Sequence, residues 1–285
     1  MQKESINYQY CDDIVGRFKE VTNHCVVNKG DEYYVGVDLG TACVVTVVLN
    51  QNKEPVAGRY RYADVVRDGM VVDYVGAVDI VRTMKQEIEE ELGTELLYAA
   101  AAIPPGTDTL DGGAVKNVVE GAGYEIVALE DESTAANNLI QIENGAVVDI
   151  GGGTTGISIF KDGKVIYVAD EPTGGTHFSL VLAGAYSKSF DDAELFKRDV
   201  QHHKEILPIL KPVIEKVSSI INEHVAGYQV DSITLVGGTC CLGGIEGIIE
   251  KSTNIPTYKP VDPMFVTPIG IAFSCADTVK QMEQQ

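Results

Sequence analysis

Asp149 is followed by three consecutive glycines and two threonines in the stretch VVDIGGGTTGISIF, residues 147–160. A carboxylate, a glycine turn and hydroxyls set between two β-forming runs can hold a phosphate. Glycine has no Cβ, so successive backbone N–H groups can close on phosphate oxygens as an anion nest. Thr154 and Thr155 add hydroxyl donors to Gly151, Gly152 and Gly153. A carboxylate alone would repel phosphate. Asp149 makes chemical sense beside Mg²⁺, which keeps several waters and takes one or two carboxylates. The same plan occurs in VGVDLGTACVVTVV, residues 35–48, where Asp38, Gly40 and Thr41 follow in the corresponding order.

Two other readings compete. A plain hairpin turn uses glycine for positive φ, but it needs only one or two. It stands as the bland alternative, and it leaves the third glycine and both threonines without a task. Gly151, Gly153 and Gly156 also spell the dinucleotide fingerprint, with Glu171 at ribose-contact spacing. That motif must open a helix, whereas ISIFKDGKVIYVAD alternates apolar and polar residues as a second strand does. The fingerprint therefore fails.

The elements around the motifs alternate strand and helix along the chain, which predicts an α/β protein. DYVGAVDIVRTMKQEIEEELG reads as an acidic helix closed by Gly93, LLYAAAAIPP as a buried strand and TLDGGAVKNVVEGAG as a helix. Pro208 and Pro212 are expected to mark a start or a kink in ILPILKPVIEKVSSIINEHVAG. The Asp–Gly–Thr plan recurs after about one domain's length, the mark of a duplication. Two similar lobes, each offering a hairpin, are expected to face each other across a cleft. The 285 residues suit two lobes, and the 45% hydrophobic content supports a core. The balance of 42 acidic against 22 basic residues, a net charge of −20, argues against nucleic acid and anionic membranes as partners. No apolar run approaches a membrane span of about 18 residues, and the leader pattern of secreted proteins is absent, so a cytoplasmic protein without direct membrane insertion is expected. The six cysteines show no metal spacing and are expected to be buried small residues. His202, His203 and His224 read as a solvated helix face, and His24 has no ligand spacing either. Ile14, Val15, Phe18 and Val21 form a helical stripe within residues 12–24, which either packs on the first lobe or docks elsewhere.

Taken together, GVDLGT, DIGGGTTG and LVGGTCC resemble the actin/DnaK-type ATPase superfamily. EDESTAA resembles that superfamily's first interdomain connector, and DPMFVTPIGIAF the second, which returns the chain to the first lobe. VVRDGMVVDY, GAGYEIVALEDESTAA and AELFK resemble its bacterial actin-like branch. The resemblance covers nearly all of residues 33–278. Within the superfamily, the length, the missing peptide-binding domain and TGGTHFSLVLAGA resemble the EutJ family of ethanolamine-utilisation operons.

The resemblance implies a two-lobed actin-like ATPase fold, made of duplicated RNase H-like domains with reduced outer subdomains. Residues 1–32 would be an N-terminal helical segment, 33–145 lobe I (rejoined by 263–285), and 146–262 lobe II. ATP or ADP with Mg²⁺ would be the cofactors. Asp38 and Asp149 would hold Mg²⁺ through water, and Thr41 and Thr154 would contact phosphate beside Gly40, Gly151, Gly152 and Gly153. Glu132 matches the connector glutamate that positions an attacking water, with a helix N-terminal carboxylate as the plainer alternative. Gly174 and Gly175 match a phosphate-side turn. Glu194 and Lys197 match a ribose- and adenine-side pair, or form an exposed i,i+3 pair. Gly237, Gly238 and Thr239 match the adenosine segment, and Thr176 and His177 the cap of the next helix. Two departures put turnover in doubt. Residues 50–70 leave no room for the outer subdomain that carries the superfamily's catalytic lysine, and Cys241 stands near the place of the adenine-stacking arginine. The expected role is a chaperone-like factor assisting assembly or reactivation of microcompartment enzymes. Its partner would be an ethanolamine-pathway enzyme or a shell protein, with possible association to the microcompartment. The alternative is a nucleotide-dependent scaffold like the pilus-assembly and division actin homologues, with little or no hydrolysis. A small-molecule kinase would need a catalytic aspartate and larger insertions, which are not found.

Overall fold

The two glycine hairpins open two separate five-stranded sheets of identical strand order. The computed structural model describes residues 8–28, 30–67, 69–104 and 112–284. It divides into two compact units, Met1–Gln141 with Phe265–Gln285, and Ile142–Met264.

The first unit begins with helix α1 (Tyr8–Val21). An antiparallel meander follows, β1 (Tyr34–Leu39), β2 (Cys43–Leu49) and β3 (Pro55–Tyr62). A small hairpin of β4 (Val66–Arg67) and β5 (Met70–Val71) leads into α2 (Tyr74–Leu92). Asp73 starts α2 by accepting from the Gly76 N–H at 2.9 Å, and Gly93 ends it in the left-handed region at φ 69°. Strand β6 (Tyr98–Ile103), helix α3 (Gly112–Gly121), strand β7 (Glu125–Asp131) and helix α4 (Glu132–Ile140) complete the outward run. The start of the stretch TLDGGAVKNVVEGAG lies outside the described residues. The sheet order is β3-β2-β1-β6-β7, with β6 and β7 parallel to β1.

The second unit repeats this plan. Strands β8 (Gly145–Ile150), β9 (Thr155–Lys161) and β10 (Lys164–Glu171) form its meander. Helices α5 (Gly175–Tyr186), α6 (Phe190–Arg198) and α7 (His203–Val225) follow, with a 3₁₀ turn over Val200–His202. Strand β11 (Ile233–Val236), a 3₁₀ turn over Gly238–Cys241, helix α8 (Ile245–Thr253) and strand β12 (Thr257–Tyr258) close it. The order β10-β9-β8-β11-β12 matches the first sheet strand for strand. The chain then re-enters the first unit as α9 (Val266–Glu283).

Glycine and alanine set how closely the layers approach. Alanines fill β6, so Ala99 and Ala101 pack with α2 and α3 residues in one cluster while Ala100 and Ala102 join the α4–α9 cluster. A Cβ on Gly36 would lie 2.5 Å from the Ala272 nitrogen, and one on Gly270 only 1.8 Å from the Ala135 carbonyl oxygen. Helix α9 therefore lies with its backbone against β1 and α4. Helix α1 buries Cys11, Ile14, Val15, Phe18 and Val21. Its Phe18 ring occupies the space where a Cβ on Gly58 would sit, and stands edge-on to Phe265 at 5.1 Å. The stripe thus packs on the chain's own first unit and is not displayed for docking.

Three elements differ from the sequence reading. ISIFKDGKVIYVAD is two strands, because Asp162 and Gly163 both adopt positive φ (51° and 71°) and turn β9 back into β10. Pro208 and Pro212 do not mark the start of α7, which begins at His203 and runs through both. His224 does not sit on a solvated face: its ring joins the Tyr167 hydroxyl at 2.7 Å and Glu171 at 2.9 Å. Among the described residues, no helix is long and apolar enough to cross a membrane.

Candidate functional site

In the second unit, Asp149 lies in β8 between Gly156 of β9 and Val236 of β11, and is only 8% exposed. The glycine turn that follows is tied to two other loops by its carbonyls. The Gly151 oxygen accepts from the Gly175 N–H at 2.9 Å and from Thr239 Oγ1 at 2.7 Å. The Gly152 oxygen accepts from the Thr176 N–H at 2.8 Å and from its hydroxyl at 2.9 Å. Thr155 is fully buried, and its hydroxyl donates to the Thr173 carbonyl. It fastens β9 to the loop before α5.

Only glycine fits where these loops meet. A Cβ on Gly174 would stand 2.8 Å from the Gly152 oxygen and 2.9 Å from the Gly151 oxygen. One on Gly175 would be 2.4 Å from Thr239 Oγ1. Gly237 has φ 91°, and a Cβ there would fall 2.2 Å from Asp149 Oδ1. Gly151–Gly153, Gly174–Gly175 and Gly237–Thr239 therefore pack backbone against backbone, with Asp149 beside them, and the first N–H groups of α5, from Gly175 and Thr176, are given to the Gly151 and Gly152 carbonyls. The positive end of the α5 dipole favours negative charge near this junction. Gly174 caps α5 without a side chain. His177 serves instead, since its Nδ1 accepts from the Gly174 N–H at 3.4 Å.

Glu194 and Lys197 lie under the first turn of α5. Lys197 Nζ donates to the Gly175 oxygen at 2.9 Å, to Ser179 Oγ at 2.9 Å and to Glu194 Oε2 at 2.7 Å. Glu194 also accepts from Ser179 and, at 2.9 Å, from Arg198 Nε. Burial acts to raise the Glu194 carboxyl, but Lys197, Ser179 and Arg198 outweigh it and hold the group below its ordinary range. Burial is also the largest influence on Lys197, whose ammonium lies below its usual value with Glu194 opposing the shift. The pair is largely covered, with side chains 10% (Lys197) and 17% (Glu194) exposed, and is not an exposed i,i+3 pair. Behind it, His203 Nε2 meets the Lys197 carbonyl at 3.1 Å and His203 Nδ1 accepts from the Gly243 N–H at 3.0 Å. Burial keeps His203 below its usual pKa. Ser179 was not singled out in the sequence, and His203 is buried and bonded through both ring nitrogens, which corrects its reading as part of a solvated helix face. Their signal is spacing alone, four residues from Gly175 and six from Lys197.

In the first unit, Asp38 lies in β1 opposite Val45, and Gly40 and Thr41 form the turn into β2. A Cβ on Gly40 would stand 2.8 Å from the Cys43 oxygen. Glu132 is the first residue of α4, and the cap is Asp131, whose carboxylate accepts from the Thr134 N–H at 2.8 Å. Among the described residues, no three His, Cys, Asp or Glu side chains converge as a metal site. A carboxylate beside a glycine turn fits a hydrated Mg²⁺, which keeps several waters and takes one or two carboxylates. All six cysteines are free thiols. Burial pushes Cys11 and Cys275 up to about 12, Cys25 up to about 11, and Cys240 well up.

Two sheets of equal order, each opened by an Asp–Gly–Thr hairpin, define the actin-like ATPase fold. Similar solved structures include MreB5 of Spiroplasma citri bound to ADP, with a TM-score of 0.72 at 20% identity over 89% of this chain and 99% of that one. A PilM–PilN type IV pilus biogenesis complex matches with a TM-score of 0.69 at 14% identity, over 85% of this chain and 98% of that one. The family model described as "Type IV pilus assembly protein PilM" matches residues 124–268. A chaperone HscA homolog of Burkholderia thailandensis is 25% identical over 72% of this chain, which spans 41% of that protein.

The chain belongs to the EutJ family of ethanolamine-utilisation proteins. It is 45% identical over 242 residues to the EutJ of Escherichia coli K12, covering 85% of each chain. The crystal structure of EutJ from Carboxydothermus hydrogenoformans matches with a TM-score of 0.89 at 44% identity, over 94% of this chain and 99% of that one.

Proposed function

We propose that this chain binds ATP or ADP with Mg²⁺ and serves ethanolamine utilisation as a chaperone-like factor for microcompartment enzymes. The observation that carries the nucleotide reading is the junction of Gly151–Gly153, Gly174–Gly175 and Gly237–Thr239, packed backbone against backbone beside Asp149. The amides of Gly152 and Gly153 in the turn would receive phosphate oxygens near the positive end of α5, and Thr154 would add a hydroxyl. Asp38 and Asp149 would hold Mg²⁺ through water, each from its own hairpin. Mg²⁺ when bound neutralises charge on phosphate oxygens. Lys197, Glu194 and Ser179 keep the first turn of α5 in place. Glu132 would orient the attacking water, since Asp131 already does the capping. That the MreB5 neighbour was solved with ADP supports the ligand class. The EutJ relatives support the ethanolamine setting, and with it a cytoplasmic place. Isothermal titration with Mg-ATP and Mg-ADP tests the binding half. Saturable binding that Gly175→Val removes, in a variant that still melts cooperatively, is the expected result. No heat with either nucleotide would end the reading. Recovery of an ethanolamine-pathway enzyme or shell protein on the immobilised chain, changing between ATP and ADP, tests the chaperone half.

The scaffold reading has its own support in the match to the pilus-assembly family model and in the small β4–β5 hairpin between β3 and α2. Among the described residues, that hairpin is the element between β3 and α2, where the resemblance would put the outer subdomain that carries the superfamily's catalytic lysine. Phosphate release that stays at background with every candidate partner, while nucleotide still binds, would favour the scaffold.

A further inference from the structure

Strand β10 ends its sheet, and among the described residues no strand pairs with its outer side. It is eight residues long, KVIYVADE, and its middle carries no charge. Val165, Ile166 and Val168 are 37%, 47% and 37% exposed. A long apolar edge strand of this kind is a template for pairing with another strand. The other edge strand of the sheet, β12, has only two residues. The bulge between Val165 and Tyr167 displaces Ile166 from the β9 ladder, and charges stand only at the ends of the strand.

We propose that β10 pairs antiparallel with β10 of a second copy of this chain, joining the two copies' sheets across a two-fold axis. The argument for a second copy is charge complementarity written into the strand. Lys164 stands at one end, and Asp170 and Glu171 at the other. With the two-fold axis at Val168, that residue faces its own copy, and the bulge at Ile166 brings Lys164 opposite Glu171 of the second copy. Opposite charges directly across two strands are a favourable combination. A two-fold interface makes the Lys164–Glu171 contact twice. Glu171 is held at its end of the strand by His224 at 2.9 Å, and the Tyr167 ring is held by the same histidine and by Tyr228. Each copy carries a net charge of −20, so association needs such local complementarity to offset long-range repulsion.

Sedimentation velocity on the full chain across micromolar concentrations tests this. The parent is expected to form a concentration-dependent dimer. Lys164→Glu, which replaces two attractive contacts by two repulsive ones, should weaken it about tenfold. Combining Lys164→Glu with Glu171→Lys should restore it. Val168→Lys, at an exposed position that leaves folding intact, should also give a monomer. A monomeric parent overturns the proposal. So does a dimer that is indifferent to Lys164→Glu and Val168→Lys, or one lost in the single charge reversal and not regained in the double.

Discussion

Glu132 follows a capping aspartate, so the helix it opens has no need of its carboxylate as a cap. In phosphoryl transfer to water, the protein's part is to place the nucleophile and stabilise charge. Glu132→Gln keeps the size and one acceptor and removes the charge. It should leave nucleotide affinity unchanged while slowing single-turnover hydrolysis by about a hundredfold, the pattern of a group acting in the transition state. Equal rates in parent and variant would remove Glu132 from the chemistry. His203 makes a different prediction. Its Nδ1 accepts from Gly243, so protonation would set two donors against each other, and burial depresses its pKa below 6.5. The unfolded chain then binds more protons than the folded one as pH falls through 6.5. Stability on this account is fully present above that value and declines below it. His203→Gln keeps an acceptor and a donor but takes up no proton, so its melting temperature should fall less between pH 7.5 and pH 5.5 than the parent's. Parallel curves would contradict this. The glycines and Asp149 were legible in the sequence because their types have few other uses in that order. The covering of Glu194 and Lys197 was not. Their spacing describes a helix face, and what covers that face is α5, whose Gly175 and Ser179 arrive from elsewhere in the chain.

Among the elements, α1 and α9 carry the clearest consequences. Phe18 is fully buried between β3 and Phe265. Phe18→Ala should cost about 3–5 kcal/mol by urea unfolding, the range for emptying a buried aromatic site. A change below about 1 kcal/mol would mean that the stripe packs loosely and is open to a docking role. Gly270→Ala places a methyl 1.8 Å from the Ala135 carbonyl oxygen, so α4 and α9 must separate. A loss of about 1–3 kcal/mol or more is expected, and an unchanged midpoint would contradict the close crossing. The alternation of strands and helices, and the paired glycine hairpins, could be read from the sequence pattern. The two-residue strands β4, β5 and β12 could not, since a period cannot be seen in two residues. The turn at Asp162–Gly163 was hidden because apolar alternation runs on both sides of it. The prolines of α7 do not mark its start, which lies at His203. The tertiary packing of Ile206, Leu210, Ile214 and Val217 outweighs the lost hydrogen bonds.

For the whole molecule, the duplicated sheet order gives each half of the chain the same Asp–Gly–Thr hairpin, so nucleotide binding is the central claim. A ligand that binds only the folded state adds about 2.7 kcal/mol of stability at a hundredfold excess over its dissociation constant. The most direct measurement is the melting temperature of the parent and of Asp149→Ala, with and without millimolar Mg-ATP. The account predicts a rise of several degrees in the parent that is absent or much reduced in Asp149→Ala. A flat profile in the parent, with the variant responding to Mg-ATP in the same way, would contradict it.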